Sequence, residues 1–225
     1  MTMFVEVRNA TKVIEGNTIL NSINLSFERG KIYGLVGKNG SGKTMLLKAI
    51  CGLIRLNEGE IIVEGRKLEK GHEFPDDVGA LIENPGLIGN YSGLKNLQVL
   101  ADIRQKISQE VIKNYMKDFK LNAEDKKKVK KYSLGMKQKL GIIAAIMEEP
   151  KLILLDEPTN ALDKESVVIL NQNLIKAKER GSTIIIASHD FSEMEQITDE
   201  RIEIDNGMII WGIRRWGIKK SYILS

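Results

Sequence analysis

Short segments rich in β-branched and aliphatic residues alternate along the chain with longer segments in which apolar residues recur at helical spacing. The strand-like pattern covers residues 4–7, 23–27, 31–36, 59–63, 78–82, 152–156, 183–187, 201–205 and 208–211. The helical pattern follows residue 42 and covers residues 94–106, 108–119, 134–148, 164–180 and 191–196. This alternation predicts an α/β fold with a mainly parallel sheet.

The type of apolar pattern differs among the predicted strands. Residues 152–156 and 183–187 are nearly continuous apolar runs, which is typical of central strands whose two faces are both covered. The first strands and the last two alternate more regularly between apolar and polar residues. They predict an antiparallel edge or a small antiparallel side sheet.

The middle of the chain differs from its two ends. From about residue 85 to residue 147 several helical patterns follow one another without a convincing strand. We therefore expect one domain over residues 1–225, with a core at about 1–84 and 150–212. A helical lobe is predicted to be inserted into this core at about 85–149.

A glycine-rich segment follows the apolar strand pattern that ends at Val36. It matches the phosphate-loop pattern G-x-x-x-x-G-K-[ST] and consists of Gly37, Lys38, Asn39, Gly40, Ser41, Gly42, Lys43 and Thr44. Glycines allow backbone N–H groups to turn inward around phosphate oxygens, and the next helix presents its positive N-terminus to the same anion. Lys43 is predicted to contact the β- and γ-phosphates of a nucleotide, and the Thr44 hydroxyl to coordinate Mg²⁺.

Two acidic residues stand at the end of the apolar strand pattern 152–156. Asp156 is the last residue of this pattern and Glu157 follows it directly. From the carboxyl end of a buried strand, Asp156 can reach the Mg²⁺ of the phosphate loop. Glu157 lies one residue further on, where a carboxylate can orient a water molecule and accept its proton.

Composition and charge mainly exclude several classes of protein. With 42% hydrophobic and 28% charged residues, the chain is neither disordered nor fibrous. The longest unbroken apolar run has six residues, 142–147, whereas about 18 are needed to cross a bilayer. The N-terminus lacks a signal-peptide pattern.

The single cysteine, Cys51, cannot form an internal disulfide and fits a reducing compartment. A net charge of +4 is too small to indicate nucleic acid, and the basic run at 126–131 is interpreted as a solvated face.

The segment at residues 132–140, Tyr-Ser-Leu-Gly-Met-Lys-Gln-Lys-Leu, decides among the classes of phosphate-loop protein. It resembles the signature motif of the nucleotide-binding subunits of ATP-binding cassette transporters, and the resemblance extends over nearly the whole chain. Only Ser133 and Gly135 agree with the short form LSGGQ. Ser133 is also a good N-cap for the predicted helix, and its hydroxyl, the Gly135 N–H and the helix dipole can bind an anion.

Later segments follow in the order of that family. His189 comes directly after the predicted strand 183–187 and matches the switch histidine, which is expected to contact the γ-phosphate and hold the attacking water. Residues 159–163 resemble the loop that reaches the partner subunit, so that Asp163 is expected at a dimer contact. The resemblance places Ser133 and Gly135 in the lobe, from which they contact a nucleotide only across a dimer interface.

Two positions depart from the usual family pattern. Glu83 stands where the family often has a glutamine that touches Mg²⁺ and the attacking water, and glutamate there resembles the bacitracin and lantibiotic self-protection exporters. The aromatic residue that stacks on adenine aligns with Ile14. An aliphatic side chain offers apolar cover without π-stacking, so we expect weaker selectivity for the base.

The resemblance implies an ATPase with ATP and Mg²⁺ at its site. Two identical or homologous subunits are expected to enclose two ATP molecules head to tail. The expected place is the cytoplasmic face of the membrane, where the groove around residues 83–97 receives a short helix of a separate permease. The cargo is expected to be an antimicrobial peptide or a similar amphiphile, and no nucleic-acid partner is expected.

Two other classes stay open from the sequence alone. One is a soluble ATPase of the same superfamily that acts in DNA repair or translation, although such proteins usually carry a coiled-coil insertion or two cassettes. The other is an unrelated phosphate-loop kinase or GTPase. The chain lacks the Asn-Lys-x-Asp motif by which a GTPase reads its base, and a kinase has no need of the Ser133–Gly135 pattern.

Overall fold

The computed structural model describes residues 3–190, 192, 194–214 and 219–220. In chain order the strands are β1 (Met3–Ile14), β2 (Asn17–Glu28), β3 (Ile32–Val36), β4 (Glu58–Val63), β5 (Arg66–Lys67), β6 (Val78–Leu81), β7 (Leu152–Asp156), β8 (Thr183–Ser188), β9 (Glu200–Asp205), β10 (Met208–Arg214) and β11 (Lys219–Lys220). The α-helices are α1 (Lys43–Ile50), α2 (Gly93–Arg104), α3 (Gln109–Asp118), α4 (Leu134–Ile146) and α5 (Lys164–Glu179). Two short 3₁₀ helices cover Val129–Lys131 and Glu195–Ile197. The predicted alternation of strands and helices is confirmed.

The larger of two sheets has the strand order β11-β10-β9-β3-β8-β7-β6. Its strands from β9 to β6 pair in parallel, and β10 is antiparallel to β9. Because parallel strands end at the same edge, the carboxyl ends of β3, β7 and β8 lie side by side. This edge carries the phosphate loop, Asp156 and the segment that begins at Ser188.

The central strands are covered on both faces, as their continuous apolar runs predict. Successive residues of β7 alternate between two cores: Leu152 and Leu154 face one, whereas Ile153 and Leu155 face the other, and all four are at most 1% exposed. One core lies between the two sheets and includes α1. The other lies between the larger sheet, the helices α2 to α4 and α5.

The smaller sheet is antiparallel, as predicted for the first strands, and has the order β2-β1-β4-β5. Its central hairpin is longer than the sequence pattern indicated, because β1 and β2 run almost uninterrupted around a turn at Glu15 and Gly16. Both turn residues have positive φ angles, of 50° and 79°. Register shifts within this hairpin interrupt the strict apolar–polar alternation, which explains why only part of each strand was recognised.

The helices α2, α3 and α4 follow one another between β6 and β7. Each begins at a serine whose side chain accepts a hydrogen bond from a backbone N–H: Ser92 for α2, Ser108 for α3 and Ser133 for α4. Residues 82–151, all of which are described, contain no strand beyond a single bridge. The fold class is therefore an α/β phosphate-loop core with an antiparallel side sheet and an inserted group of helices.

Two details differ from the predictions. Strand β9 pairs antiparallel with β10 near one edge of the larger sheet, as predicted, but it also pairs in parallel with β3. The alternating pattern of β9 arises because one of its faces is buried and the other is partly exposed to solvent. The helix predicted at 191–196 lies partly outside the described residues, and Glu195–Ile197 form a single 3₁₀ turn.

Candidate functional site

The phosphate loop (residues 37–44) curls around the ammonium group of its own lysine. Lys43 Nζ donates to the carbonyl oxygens of Gly37 at 2.6 Å and Lys38 at 2.9 Å. The loop is joined to the neighbouring turn, because the Gly207 N–H donates to the Ser41 carbonyl at 2.9 Å. The loop is therefore already curled, and its cation already lies inside the curl.

Glycine is required where the loop enters helix α1. Gly42 caps this helix with a φ angle of 108°, which side chains rarely tolerate, and a Cβ there would lie 3.0 Å from the Ile19 carbonyl oxygen. Lys43 and Thr44 are then the first residues of the helix. The N-terminus of α1 and its partial positive charge therefore lie at the phosphate loop.

Thr44 and Asp156 meet at the carboxyl end of β7. The Thr44 hydroxyl donates to Asp156 Oδ2 at 2.8 Å, while the buried Asp156 Oδ1 receives no hydrogen bond of ordinary geometry from the residues that the structure describes. A buried carboxylate oxygen without a partner is costly, and a bound cation removes that cost. A hydroxyl and a carboxylate are also the oxygen donors that Mg²⁺ prefers, so these residues fit a magnesium site.

Burial shifts the pKa values of two charged groups at this site. It lowers the pKa of Lys43, although the carboxylates of Glu157 and Asp156 oppose this effect. It raises the pKa of Asp156, although the hydrogen bond from Thr44 opposes the shift. Each charge therefore lacks full compensation, and an anionic phosphate chain with a divalent cation would supply it.

Glu157 has an unusual backbone conformation. Its φ angle is 46°, in the left-handed region, and the next residue is Pro158, which further disfavours helical conformations at the preceding position. Its N–H donates to the Ala187 carbonyl at 2.8 Å, and its own carbonyl accepts from the Asn160 N–H at 3.2 Å. A strained residue held by its neighbours is a common feature of functional sites.

The Glu157 carboxylate lies against the residues that follow β8. Its Oε1 accepts from the His189 backbone N–H at 2.9 Å, and its Oε2 lies 2.9 Å from His189 Nδ1 and 3.2 Å from Ser188 Oγ. The structure therefore brings together Glu157 and His189, which are far apart in sequence. The backbone N–H of His189 and the side chains of Ser188 and His189 therefore hold the carboxylate in one orientation.

Ser133 and Gly135 lie at the start of α4. Ser133 Oγ accepts from the Met136 N–H at 3.2 Å, as expected of an N-cap. Gly135 packs against the loop after Glu157, because a Cβ there would lie 2.6 Å from the Ala161 carbonyl oxygen. The structure thus places Gly135 against the loop that follows β7, while Ser133 caps the helix beside it.

Asp163 caps the next helix of the same loop. Its Oδ1 accepts from both the N–H and the hydroxyl of Ser166, and its Oδ2 pairs with Lys139 at 3.0 Å. The hydrogen bonds from Ser166 and the ion pair with Lys139 lower the pKa of Asp163. The predicted dimer-contact residue is therefore negatively charged and fixed in place within its own chain.

Glu83 does not contact the predicted metal ligands through its carboxylate. Its Oε1 pairs instead with Lys48 Nζ on α1 at 2.6 Å, and its φ angle is 57°. Lys48 lies one helical turn after Thr44, so the pair joins the segment after β6 to the helix of the phosphate loop. A role of Glu83 at the metal stays a prediction.

Comparison with known proteins identifies the family to which this chain belongs. The family model for the ABC transporter matches residues 20–160 of this chain. The chain is 44% identical over 205 residues to the uncharacterized ABC transporter ATP-binding protein YybJ of Bacillus subtilis, covering 91% of this chain and 94% of that protein. The chain belongs to the ABC transporter family.

Two further relatives carry more specific names. The bacitracin transport ATP-binding protein BcrA of Enterococcus faecalis is 42% identical, over 88% of this chain and 65% of that protein, so this chain spans about two thirds of its length. The lantibiotic transport ATP-binding protein SrtF of Streptococcus pyogenes is 38% identical, over 91% of this chain and 88% of that protein. This chain is thus an ABC transporter ATP-binding subunit, and ATP hydrolysis is the activity of the family.

Solved ABC structures support the fold. An ATP-binding subunit of an ABC transporter superposes with a TM-score of 0.84 at 25% identity, over 94% of this chain and 90% of that chain. The dimeric cassette MJ0796 superposes with the same TM-score of 0.84 at 22% identity, over 95% of this chain and 100% of that chain. Within the described part of this ABC chain, every helix is too short or too polar to span a bilayer.

Sequence reasoning overlooked two polar residues of this ABC cassette. Lys48, which pairs with Glu83, follows Thr44 by one helical turn and so lies on the same face of α1. Gln138 follows Gly135 by three residues, and its side-chain amide donates to the carbonyls of Glu157 and Pro158, each at 3.1 Å. Both residues lie three or four positions after a predicted site residue on the same helix, and this spacing could have indicated them from the sequence.

Proposed function

We propose that this chain hydrolyses ATP to ADP and phosphate at the edge of the larger sheet and that this reaction drives a separate membrane permease. The observation that carries the proposal is the convergence of Lys43, Thr44, Asp156, Glu157 and His189 at the carboxyl ends of β3, β7 and β8. In this proposal the whole chain is one domain, with its core at about 1–84 and 150–212 and its lobe at about 85–149.

The phosphate loop binds the nucleotide in this proposal. The N–H groups of residues 37–44 and the ammonium of Lys43 hold the β- and γ-phosphates, and the N-terminus of α1 adds its partial charge. Thr44 and Asp156 hold Mg²⁺, with Glu83 as a further ligand once its pair with Lys48 opens. When bound, the cation would offset the negative charge that develops on the phosphate groups.

Glu157 is the general base in this proposal. Its carboxylate accepts a proton from the attacking water, and His189 positions that water against the γ-phosphate. The contact between Glu157 and His189 orients both groups before the nucleotide arrives. For the reaction the histidine must release part of this contact, because the Glu157 Oε2 that faces His189 Nδ1 has to become free to accept from the water.

The site is completed by a second chain in this proposal. Ser133 and Gly135, with the N-terminus of α4, bind the γ-phosphate of the partner's nucleotide, and Asp163 contributes to the same interface. Two identical or homologous subunits thereby enclose two ATP molecules. Tighter binding of ATP to the closed dimer performs the work, and hydrolysis reopens the dimer.

The permease docks into a groove beside α2 in this proposal. The groove has a volume of about 440 Å³, lies between β6, α2 and α4, and includes Pro85, Leu87 and Ile88 within its lining. Leu100 and Ile103 are 41% and 75% exposed at its rim, which leaves apolar surface for a short helix of the permease. This arrangement holds the chain at the cytoplasmic face of the membrane.

The proposed cargo is an antimicrobial peptide or a similar amphiphile, carried outward. Support comes from the similarity to BcrA and SrtF, whose names refer to bacitracin and lantibiotic transport. Residue Glu83 and the segment at 132–140 carry the same resemblance within the site. Increased bacitracin or lantibiotic resistance, when the chain and its permease are expressed in a sensitive host, would support this cargo.

Replacement of Glu157 tests the ATPase proposal. Glu157→Gln is expected to retain Mg²⁺-ATP binding within about threefold but to slow hydrolysis by about 10²–10⁴-fold, because the water loses its base. Phosphate release is measured at saturating ATP. Glu179→Gln, at an exposed position near the end of α5, is the matched control and is expected to leave the rate unchanged. Unchanged hydrolysis in Glu157→Gln would remove Glu157 from the catalytic role.

A further inference from the structure

Helix α4 is attached to the turn that carries Glu157 (residues 157–160) by a side chain outside the predicted site. Gln138 Nε2 donates to the carbonyl oxygens of Glu157 and Pro158, each at 3.1 Å. One amide group thus holds two successive carbonyls on the same side of the turn. Gln138 is only partly exposed, so water competes weakly for these hydrogen bonds.

The turn needs this support because Glu157 is held in an unfavourable conformation. Its φ angle of 46° lies in the left-handed region, and Pro158 disfavours helical conformations at Glu157. The Asn160 N–H also donates to the Glu157 carbonyl, at 3.2 Å. The direction of the Glu157 side chain depends on this backbone geometry, so a change at Gln138 is transmitted to the carboxylate.

Gln138 also belongs to the helix that begins with Ser133 and Gly135. Five residues of α-helix span about 7.5 Å, so a displacement of the helix N-terminus moves Gln138 with it. The same helix touches the loop after Glu157 at two flanking points, because Gly135 packs against Ala161 and Lys139 pairs with Asp163 at 3.0 Å. The start of α4 is therefore attached to the loop at three points, through Gly135, Gln138 and Lys139.

We propose that Gln138 is a positioning residue that sets the geometry of Glu157 and couples it to the N-terminus of α4. The proposal rests on the proposed function, in which that N-terminus binds the partner's nucleotide while Glu157 serves the chain's own nucleotide. Through Gln138, the geometry of the general base Glu157 then depends on whether the N-terminus of α4 has bound the partner's nucleotide.

The test uses two variants of the full-length chain. Gln138→Met keeps the length and volume of the side chain but removes the amide, and Gln138→Glu keeps the shape but places carboxylate oxygen beside two carbonyl oxygens. Both are expected to lower kcat for ATP at least about tenfold, because small displacements of a catalytic group are costly. KM for ATP stays within about twofold, because the phosphate loop is untouched, and the Hill coefficient falls toward one.

Controls separate positioning from folding. Gln172→Met, at an exposed position on α5, is expected to match the wild type in every readout. The melting temperatures of the Gln138 variants are expected to stay within a few degrees of the wild type. A parallel loss of melting temperature and of ATP affinity would indicate a merely structural role and would overturn the proposal.

The Glu157→Gln variant in the same assay distinguishes a failure of the role proposed for Gln138 from a failure of the proposed ATPase function. Wild-type kcat in Gln138→Met, together with the expected loss in Glu157→Gln, overturns the role of Gln138 and leaves the proposed function standing. Wild-type kcat in Glu157→Gln overturns both.

Discussion

At the residue scale, the site depends on charges and polar atoms whose partners are incomplete. Burial lowers the pKa of Lys43 and raises that of Asp156, and within the described part of the chain no hydrogen bond of ordinary geometry reaches Asp156 Oδ1. Each of these features disfavours the charged group in the protein alone. In the proposed function a triphosphate and a divalent cation would compensate them together, so that burial at this site would favour binding.

Ile14 provides a test of how the nucleotide base is bound. Ile14 ends β1 and is 38% exposed, so it offers a partly covered apolar surface but no aromatic face. Base stacking on an aromatic side chain contributes about 1–3 kcal/mol, by analogy with nucleic-acid binding. Calorimetric titration with Mg²⁺ is expected to give dissociation constants for ATP and GTP within about tenfold of each other.

Substitution of the same residue sharpens this test. Ile14→Tyr is expected to tighten the binding of both nucleotides, because it adds a stacking surface that does not distinguish the bases. A preference of the wild type for ATP by a hundredfold or more would contradict the prediction, and another residue would then have to read adenine.

The residues of the site were predicted from sequence where a local pattern carries the chemistry. The phosphate loop and the acids at the end of β7 stand in short contiguous motifs, and the structure brings Lys43, Thr44 and Asp156 together as expected. Partners such as Lys48 and Gln138 were overlooked, because their contacts join segments far apart in sequence. Their contacts depend on how α1 and α4 pack against neighbouring loops.

At the element scale, an ion-pair cluster ties the start of β6 to the end of α2. Asp77 Oδ1 accepts from Arg104 Nη1 at 3.0 Å and Lys106 Nζ at 2.8 Å, and Asp77 Oδ2 lies 3.4 Å from the Lys151 N–H before β7. Burial alone would raise the pKa of Asp77, but Lys106 and Arg104 outweigh it and lower this pKa overall. The cluster therefore links the larger sheet to the inserted helices through charge.

This cluster predicts a pH dependence of stability. Because the pKa of Asp77 is lower in the folded chain than in the unfolded chain, its contribution is present above the unfolded value of about 3.9 and is lost as pH falls through the folded value. Asp77→Asn is expected to lower the free energy of unfolding at pH 7 by about 1 kcal/mol. Below about pH 4 the difference from the wild type shrinks.

Urea unfolding at pH 7 and at pH 3 measures this effect. Asp118→Asn, at an exposed position on α3, is the matched control and is expected to have little effect at either pH. An equal destabilisation of Asp77→Asn at both pH values would contradict the electrostatic explanation.

The elements themselves were largely predictable, and the exceptions have physical causes. Continuous apolar runs identified β7 and β8, because both of their faces are buried. The long hairpin of β1 and β2 was recognised only in part, because register shifts break its alternation. The antiparallel pairing of β9 with β10 was predicted, but the parallel pairing of β9 with β3 was not, because an alternating pattern reports the exposure of a face and not the direction of each neighbouring strand.

At the scale of the whole molecule, the fold separates the phosphate loop from the start of α4, the two features that are proposed to bind phosphate. The phosphate loop lies on the larger sheet, whereas Ser133 and Gly135 begin α4 among the inserted helices, and Gly135 packs against the loop after Glu157. Within one chain the phosphate loop and the start of α4 are therefore not proposed to bind the same nucleotide. The proposed function unites them through a second copy, and this dimer is the central claim of the account.

The dimer is tested most directly by the mass of the Glu157→Gln variant in solution. Light scattering coupled to size exclusion is expected to give a monomer without nucleotide and a dimer with Mg²⁺-ATP, because slow hydrolysis keeps ATP between the subunits. The double variant Glu157→Gln/Ser133→Arg is expected to bind ATP but to stay monomeric, since the arginine occupies the space of the partner's γ-phosphate. A monomeric Glu157→Gln variant at saturating Mg²⁺-ATP, or an ATP-driven dimer that persists with Ser133→Arg, would contradict the account.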